Sequence, residues 1–140
     1  MIEELLRYTP ADLQDLDMLM GELSAASYCD REILDRLMDD AGSHLYVMRD
    51  GNHIIACACL CVAHSPEFTL GFVESVTVLS TQRGKGYGRM LMEHLIAEAR
   101  RLRVDRLHLT SNPKRVAANV LYQKLGFVRY DTNCYQLEFL

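Results

Sequence analysis

Apolar residues recur at helical spacing from Asp12 to Leu23, at Leu13, Leu16, Leu19, Met20 and Leu23, and this pattern predicts the first helix. A short strand is expected before it, from Leu5 to Tyr8, closed by Thr9-Pro10. Asp30 is suited to cap a second helix, which runs through Ile33, Leu34, Leu37 and Met38 and ends around Ala41-Gly42. The period then shortens. His44 to Arg49 and His53 to Ala63 read as strands joined by the turn residues Asp50-Gly51-Asn52, and a third strand is expected from about Thr69 to Leu79. From Tyr87 to Arg103, Leu91, Leu95, Ala99 and Leu102 share one stripe, with Arg100, Arg101 and Arg103 at the end where cations suit a helix dipole. Leu107 to Thr110 reads as a short strand. Asn112-Pro113 resembles a cap and first-turn proline for a last helix through Ala117, Ala118, Leu121 and Leu125, stopped by Gly126-Phe127. Val128 to Leu140 alternates around Thr132-Asn133 and is expected to form a final hairpin.

Length and composition narrow the class. One domain is expected over residues 1–140, because no segment is Pro-rich, Ser-rich or repetitive and proline occurs only at 10, 66 and 113. At 49% apolar and 24% charged residues the chain is globular in composition. A net charge of −4 and a pI near 5.7 argue against a nucleic-acid partner and against attraction to anionic membranes. The longest apolar run, Ile54 to Ala63, is about half the length that a membrane-spanning helix needs. The start of the chain carries acids where a signal peptide would be basic. The odd count of five cysteines, without a paired framework, fits reduced thiols in the cytoplasm. Cys57, Cys59 and Cys61 alternate along one strand and lack the spacing of zinc sites, so no metal is expected there.

Candidate chemistry concentrates in Gln82-Arg83-Gly84-Lys85-Gly86-Tyr87-Gly88, between a strand of β-branched residues and the long helix. Three glycines at alternate positions allow a tight bend and leave N–H groups unobstructed where a helix begins, which makes an anion cradle. Arg83 and Lys85 add charge, and the expected ligand is a phosphate or pyrophosphate. Two familiar motifs fail. No Lys-Ser or Lys-Thr follows at P-loop spacing, and no third glycine completes the dinucleotide fingerprint.

The Arg-x-x-Gly-x-Gly arrangement of Arg83, Gly86 and Gly88 does fit another pattern. Preceded by Val73-Glu74-Ser75-Val76-Thr77-Val78 and followed by the segment Ser111 to Phe127, it resembles the acetyl-CoA site of the GCN5-related N-acetyltransferase (GNAT) superfamily. The two motifs cover roughly residues 72 to 127, and residues 1–65 match in pattern only. The resemblance implies an α/β (α+β) GNAT fold, a mixed, largely antiparallel sheet of six or seven strands with about four helices. It implies acetyl-CoA as the acyl donor, held by Arg83, Gly84, Lys85, Gly86, Tyr87, Gly88 and Arg89 at the pyrophosphate and by the backbone of Val76, Thr77 and Val78 along the pantetheine arm. Asn119 and Tyr122 would also meet the cofactor, and Lys124 a phosphate. Glu74 is then the candidate base and Tyr122 the candidate proton donor to the leaving thiolate, in an acetyl transfer to an amine. Tyr28, Cys29, Asp30 and Asn133 fall in regions that shape acceptor pockets in the family.

Each residue also has a structural reading. Glu74 would pair with a basic neighbour on a solvated strand face, Tyr122 would be a core aromatic, and Asn119 a surface helix residue. The alternative function is a non-catalytic acyl-CoA-binding or sensing module; a dinucleotide-dependent oxidoreductase is disfavoured by the glycine spacing. An edge strand in the C-terminal hairpin offers a route to a homodimer.

Overall fold

Thr9 and Pro10, expected to close a strand, instead open the first helix, α1 (Pro10–Leu23), in a computed structural model that describes residues 1–139. The Asp12 N–H donates to the Thr9 hydroxyl at 3.1 Å and the Thr9 N–H donates to the Asp12 carboxylate at 3.1 Å. This reciprocal box satisfies donors that a helix start leaves open, and Pro10 has no N–H to lose. The first strand therefore lies earlier than expected. It is β1 (Ile2–Glu4), set antiparallel with Ile2 opposite Met48, and its last rung is the Leu5 N–H donating to the Leu45 carbonyl at 2.8 Å.

Asp12 does more than cap. It is 4% exposed, and the Arg49 guanidinium donates to its carboxylate at 2.8 and 3.3 Å. Arg49, with help from the Thr9 N–H and against the effect of burial, holds the Asp12 carboxyl below its usual range. A folded-state pKa below the unfolded value adds stability that is present above the unfolded value and lost as pH falls through the folded one. Asp12→Asn is therefore expected to be about 3 kcal/mol less stable at pH 7. In urea denaturation followed against pH, the gap between variant and parent should narrow below about pH 4; a gap constant with pH would refute this assignment.

The second helix, α2 (Arg31–Asp39), starts as expected, with the Ile33 N–H donating to the Asp30 carboxylate at 2.9 Å. It ends before Gly42 because Asp40 turns the chain, accepting from the Gly42 N–H and the Ser43 hydroxyl. The hairpin of β2 (Ser43–Asp50) and β3 (His53–His64) follows, with Gly51 at φ +60° in the turn. β4 (Thr69–Val78), α3 (Tyr87–Arg101) and β5 (Arg106–His108) complete the sheet, a parallel crossover that needs the intervening helix. The strand order is β1-β2-β3-β4-β5, antiparallel except for the last pair. The sheet thus has five strands instead of six or seven, since no residue after His108 joins a strand among those described.

Alternation sorts the strand residues between two faces. Leu45, Val47, Cys57 and Cys59 meet Leu16 and Leu19 of α1 and Leu34 of α2, with Cys61 packed beside them. The thiols that alternate in sequence thus act as small hydrophobes on one face. Tyr46 faces the other way, with His94 of α3 edge-on at 5.0 Å, and Leu91, Met92 and Leu95 of that helix are fully buried.

The residues pack into two compact units, Met1–Thr110 and a second that begins at Ser111. In the second, α4 (Val116–Lys124) starts later than Asn112-Pro113 suggested. Asn112 makes a local turn, its side chain accepting from the Lys114 N–H at 2.9 Å and its carbonyl from the Arg115 N–H at 3.0 Å, so Arg115 takes the cap position. The expected tail hairpin is absent among the described residues: 127–139 are irregular, and Leu140 lies outside them.

Candidate active site

β4 is irregular where the candidate base sits. Cys57 pairs with Thr77 and Cys59 with Glu74, so the one residue of β3 between these rungs, Ala58, stands opposite two of β4, Ser75 and Val76, and one is extra. Such a bulge bends the strand and leaves a residue out of the ladder. The bulge includes Ser75, at φ +53°, a conformation that is unfavourable for a non-glycine residue and is found preferentially at functional sites. Residues paired across a ladder share a face, so Glu74 and Thr77 both lie on the side of α1 and α2. Thr77 is buried there, whereas Glu74 is exposed.

The opposite edge of β4 is open. β5 pairs only with Leu70, Gly71 and Phe72, so among the described residues no strand pairs with the stretch from Val73 to Val78 on that side. Its backbone presents polar groups that an extended chain-like ligand can pair with. Val76, Thr77 and Val78 stand at its end.

That edge runs into the glycine-rich turn. After one 3-10 turn, Ser80–Gln82, Gly84 and Gly86 take φ of +78° and +82°, and Gly86 is the N-cap of α3 with no side chain capping the helix. The first N–H groups of α3 therefore face outward with the positive end of the helix dipole. Positive φ explains glycine at 84 and 86. Gly88 is different: its φ is ordinary, and an added Cβ would meet only a Val78 methyl at 3.9 Å. The fold does not require glycine there, so a Cβ at this position tests whether a ligand lies against the backbone. Gly88→Ala is accordingly expected to leave the melting temperature near that of the parent while weakening acetyl-CoA binding about tenfold or more, a change of about 1.4 kcal/mol. Unchanged affinity in a calorimetric titration would remove Gly88 from the cradle.

The cations divide. Lys85 donates to the Gln82 side chain at 2.9 Å and Arg89 pairs with Glu93 at 2.8 Å, both exposed beside the turn. Arg83 instead braces the scaffold, its Nε donating to the Val78 carbonyl at 3.0 Å. Tyr87 begins α3, half-buried.

In the second unit, the Asn119 side-chain amide donates to the Asn112 and Arg115 carbonyls at 2.9 and 2.8 Å, fixing the start of α4. Tyr122 is 7% exposed, its ring edge-on to Phe127 at 6.1 Å. Among the described residues the buried side-chain oxygens without a partner are those of Tyr46 and Ser111; the Tyr122 hydroxyl is not one of them.

A model of the acetyltransferase (GNAT) family matches residues 10–127, most of the chain and both units. The chain belongs to the GNAT family. It is an N-acetyltransferase by family and fold. No curated protein sequence matches it. Solved structures do: an acetyltransferase from Trypanosoma brucei, 24% identical over 99% of each chain with a TM-score of 0.79. Glucosamine-6-phosphate N-acetyltransferase from Arabidopsis thaliana is 19% identical over 98% of this chain and 97% of its own, with a TM-score of 0.78. Ribosomal-protein-alanine N-acetyltransferase from Brucella melitensis is 20% identical over 99% of each, with a TM-score of 0.77. At these identities the likeness concerns the fold, and the names of the last two enzymes indicate unlike acceptors.

Two residues beside the candidate site are not marked by the sequence pattern. Ser75 carries the bulge, and nothing in its residue type marks it. Glu22 accepts the Ser80 N–H and hydroxyl, both at 2.8 Å, and so anchors the approach to the glycine turn. Its signal was an acid in the last turn of α1, where the helix dipole disfavours one. Among the described residues no group of three or more His, Cys, Asp or Glu is placed to hold a metal, and no helix is long and apolar enough to cross a membrane.

Proposed function

We propose that the protein moves an acetyl group from acetyl-CoA directly to an amine acceptor, as a single catalytic domain over residues 1–140. The observation that carries this reading is the open edge of β4 beyond Phe72, bulged at Ser75 and leading into an uncapped glycine-rich helix start. An extended arm ending in a pyrophosphate matches that shape and charge. The backbone of Val76, Thr77 and Val78 pairs with the pantetheine, and N–H groups from Arg83 to Arg89 take the pyrophosphate, with Lys85 and Arg89 adding charge. Asn119 and Tyr122 complete the cofactor set.

Acetyl-CoA supplies an activated thioester; the chain supplies position and proton management. An alkylammonium of pKa about 10.4 is free amine only to about one part in several thousand at pH 7, a handicap of roughly 4–5 kcal/mol. Glu74, exposed on the bulged strand, takes that proton directly or through water. The Tyr122 hydroxyl carries the proton that the sulfur needs as it leaves. A backbone N–H near Val78 stabilises charge on the acetyl oxygen. The five unpaired thiols support a reducing, cytoplasmic setting. Burial pushes the Cys57 thiol up to about 12, so it is inert as a nucleophile.

A ligand that binds only the folded state stabilises it, by about 2.7 kcal/mol at a hundredfold excess over Kd. The melting temperature should therefore rise with acetyl-CoA and with CoA, and not with NAD. Stabilisation by NAD alone would overturn the cofactor assignment.

A further inference from the structure

Two of the thiols on the α1 and α2 face of the sheet touch each other. Cys59 and Cys61 are two residues apart on β3, so their side chains leave the same face of the strand, and their sulfurs lie 3.8 Å apart in a hydrogen bond. Residues two apart in a strand have Cα atoms about 6.4–6.8 Å apart, inside the range that a disulfide spans and at its upper end. The two differ in access. Cys59 is 6% exposed, whereas Cys61 is half-buried, on a row between Ser43 of β2 and Phe72 of β4, itself 36% exposed.

The hydrogen bond divides their chemistry. The more buried Cys59 keeps its proton and donates it to the Cys61 sulfur, which lowers the Cys61 thiol to about 7 against the effects of burial and of the acids Glu74 and Asp40. The same bond, together with burial, pushes the Cys59 thiol up. Thiolate is the reactive form, so Cys61 is the nucleophile and Cys59 a protonated thiol within its reach. Cys57 and Cys29 are placed differently. Cys57 is fully buried with its S–H on the Ser75 carbonyl at 3.5 Å, and burial raises the Cys29 thiol. A half-buried sulfur admits a small oxidant, and a thiolate attacks the O–O bond of a hydroperoxide.

We propose that Cys61 and Cys59 form a peroxide-reactive dithiol, in which Cys61 takes the oxidant and Cys59 resolves it to a disulfide within the strand. In the first step the Cys61 thiolate attacks one oxygen of hydrogen peroxide; an S–O bond forms, the O–O bond breaks, and the departing hydroxide takes a proton to become water. Cys61 is then a sulfenic acid. In the second step the Cys59 sulfur attacks the Cys61 sulfur, the S–O bond breaks, and the hydroxyl leaves with the Cys59 proton as a second water. Two thiols and one peroxide become one disulfide and two waters, with two electrons passed from sulfur to oxygen. A dithiol reductant restores the pair by exchange.

The test is peptide mass mapping of the wild-type chain after hydrogen peroxide, with free thiols alkylated under denaturing conditions. Trypsin leaves Cys57, Cys59 and Cys61 on one peptide, since no Lys or Arg lies between Asp50 and Gln82. The expected product is that peptide lighter by two hydrogens and alkylated once, at Cys57, with alkylation of all three restored by prior reduction. Cys61 should lose its free thiol a few-fold faster than the exposed Cys134. Cys59→Ala should stop the reaction at the Cys61 sulfenic acid, trapped by dimedone, and Cys61→Ala should leave Cys59 open to alkylation. A wild-type Cys61 still alkylated once Cys134 is oxidised overturns the proposal. So does a Cys61 that proceeds to the sulfinic acid while Cys59 stays free, or a disulfide joining Cys61 to any other cysteine. Should either variant fail to fold, the wild-type map decides by itself.

Discussion

Tyr122→Phe is expected to lower kcat by about 10²- to 10⁴-fold, the range for loss of a proton-transfer group, while KM for acetyl-CoA stays within a few-fold. The variant removes one oxygen and little else. The ring is 7% exposed and rests edge-on against Phe127, so phenylalanine fills the same space, and folding should be nearly unaffected. A fall in kcat without a matching change in KM marks an interaction made in the transition state and not in the bound complex. Thiol release from acetyl-CoA, measured with a saturating amine, reads the effect. If kcat is unchanged, Tyr122 is a packing residue and the leaving sulfur takes its proton from elsewhere.

Glu74→Gln is expected to reduce kcat by a similar 10²- to 10⁴-fold near pH 7. The pH profile separates its role from a merely structural one. Without a base the reaction depends on acceptor that is already deprotonated, so the variant's rate should climb about tenfold per pH unit toward the amine's pKa of about 10.4. The parent should depend less steeply on pH over the same range. Parallel profiles would mean that Glu74 takes no proton, whatever the size of the loss. Its position favours a clean experiment: Glu74 is exposed and its backbone rung to Cys59 does not involve the side chain.

The features legible in the sequence are those that one stretch of chain decides. The turn at Gly51, the stripe of Leu91, Leu95 and Ala99, and the glycine run ahead of Tyr87 each reflect backbone conformation or burial set within a few residues. The bulge at Ser75 is not of that kind. It arises from the register of β4 against β3, an extra residue between the Glu74 and Thr77 rungs, and a serine among β-branched neighbours gives no notice of it. Thr9-Pro10 was ambiguous for a similar reason: both strand ends and helix starts use such residues, and the capping exchange with Asp12 decided between them. The tail shows a pattern read correctly with the wrong outcome. Alternation from Tyr135 to Phe139 is real, but alternation specifies a face and not the strand that covers it. The glycine turn on which the proposed cofactor half rests was legible because positive φ at Gly84 and Gly86 is a local backbone requirement that glycine meets. Acceptor choice depends on side chains gathered from several elements, and no short motif encodes it.

The central claim is that this chain couples thioester cleavage to acetylation of an amine, and the direct measurement is acetyl-CoA consumption across a panel of amines. The panel comprises polyamines, amino sugars, amino acids and peptides with a free N-terminus or lysine, with thiol release and product mass read together. Release that requires an amine, accompanied by the mass of one acetyl group on that amine, is the expected result. Saturable acetyl-CoA binding with no amine-dependent release on any member of the panel would contradict it and leave a sensing module in its place.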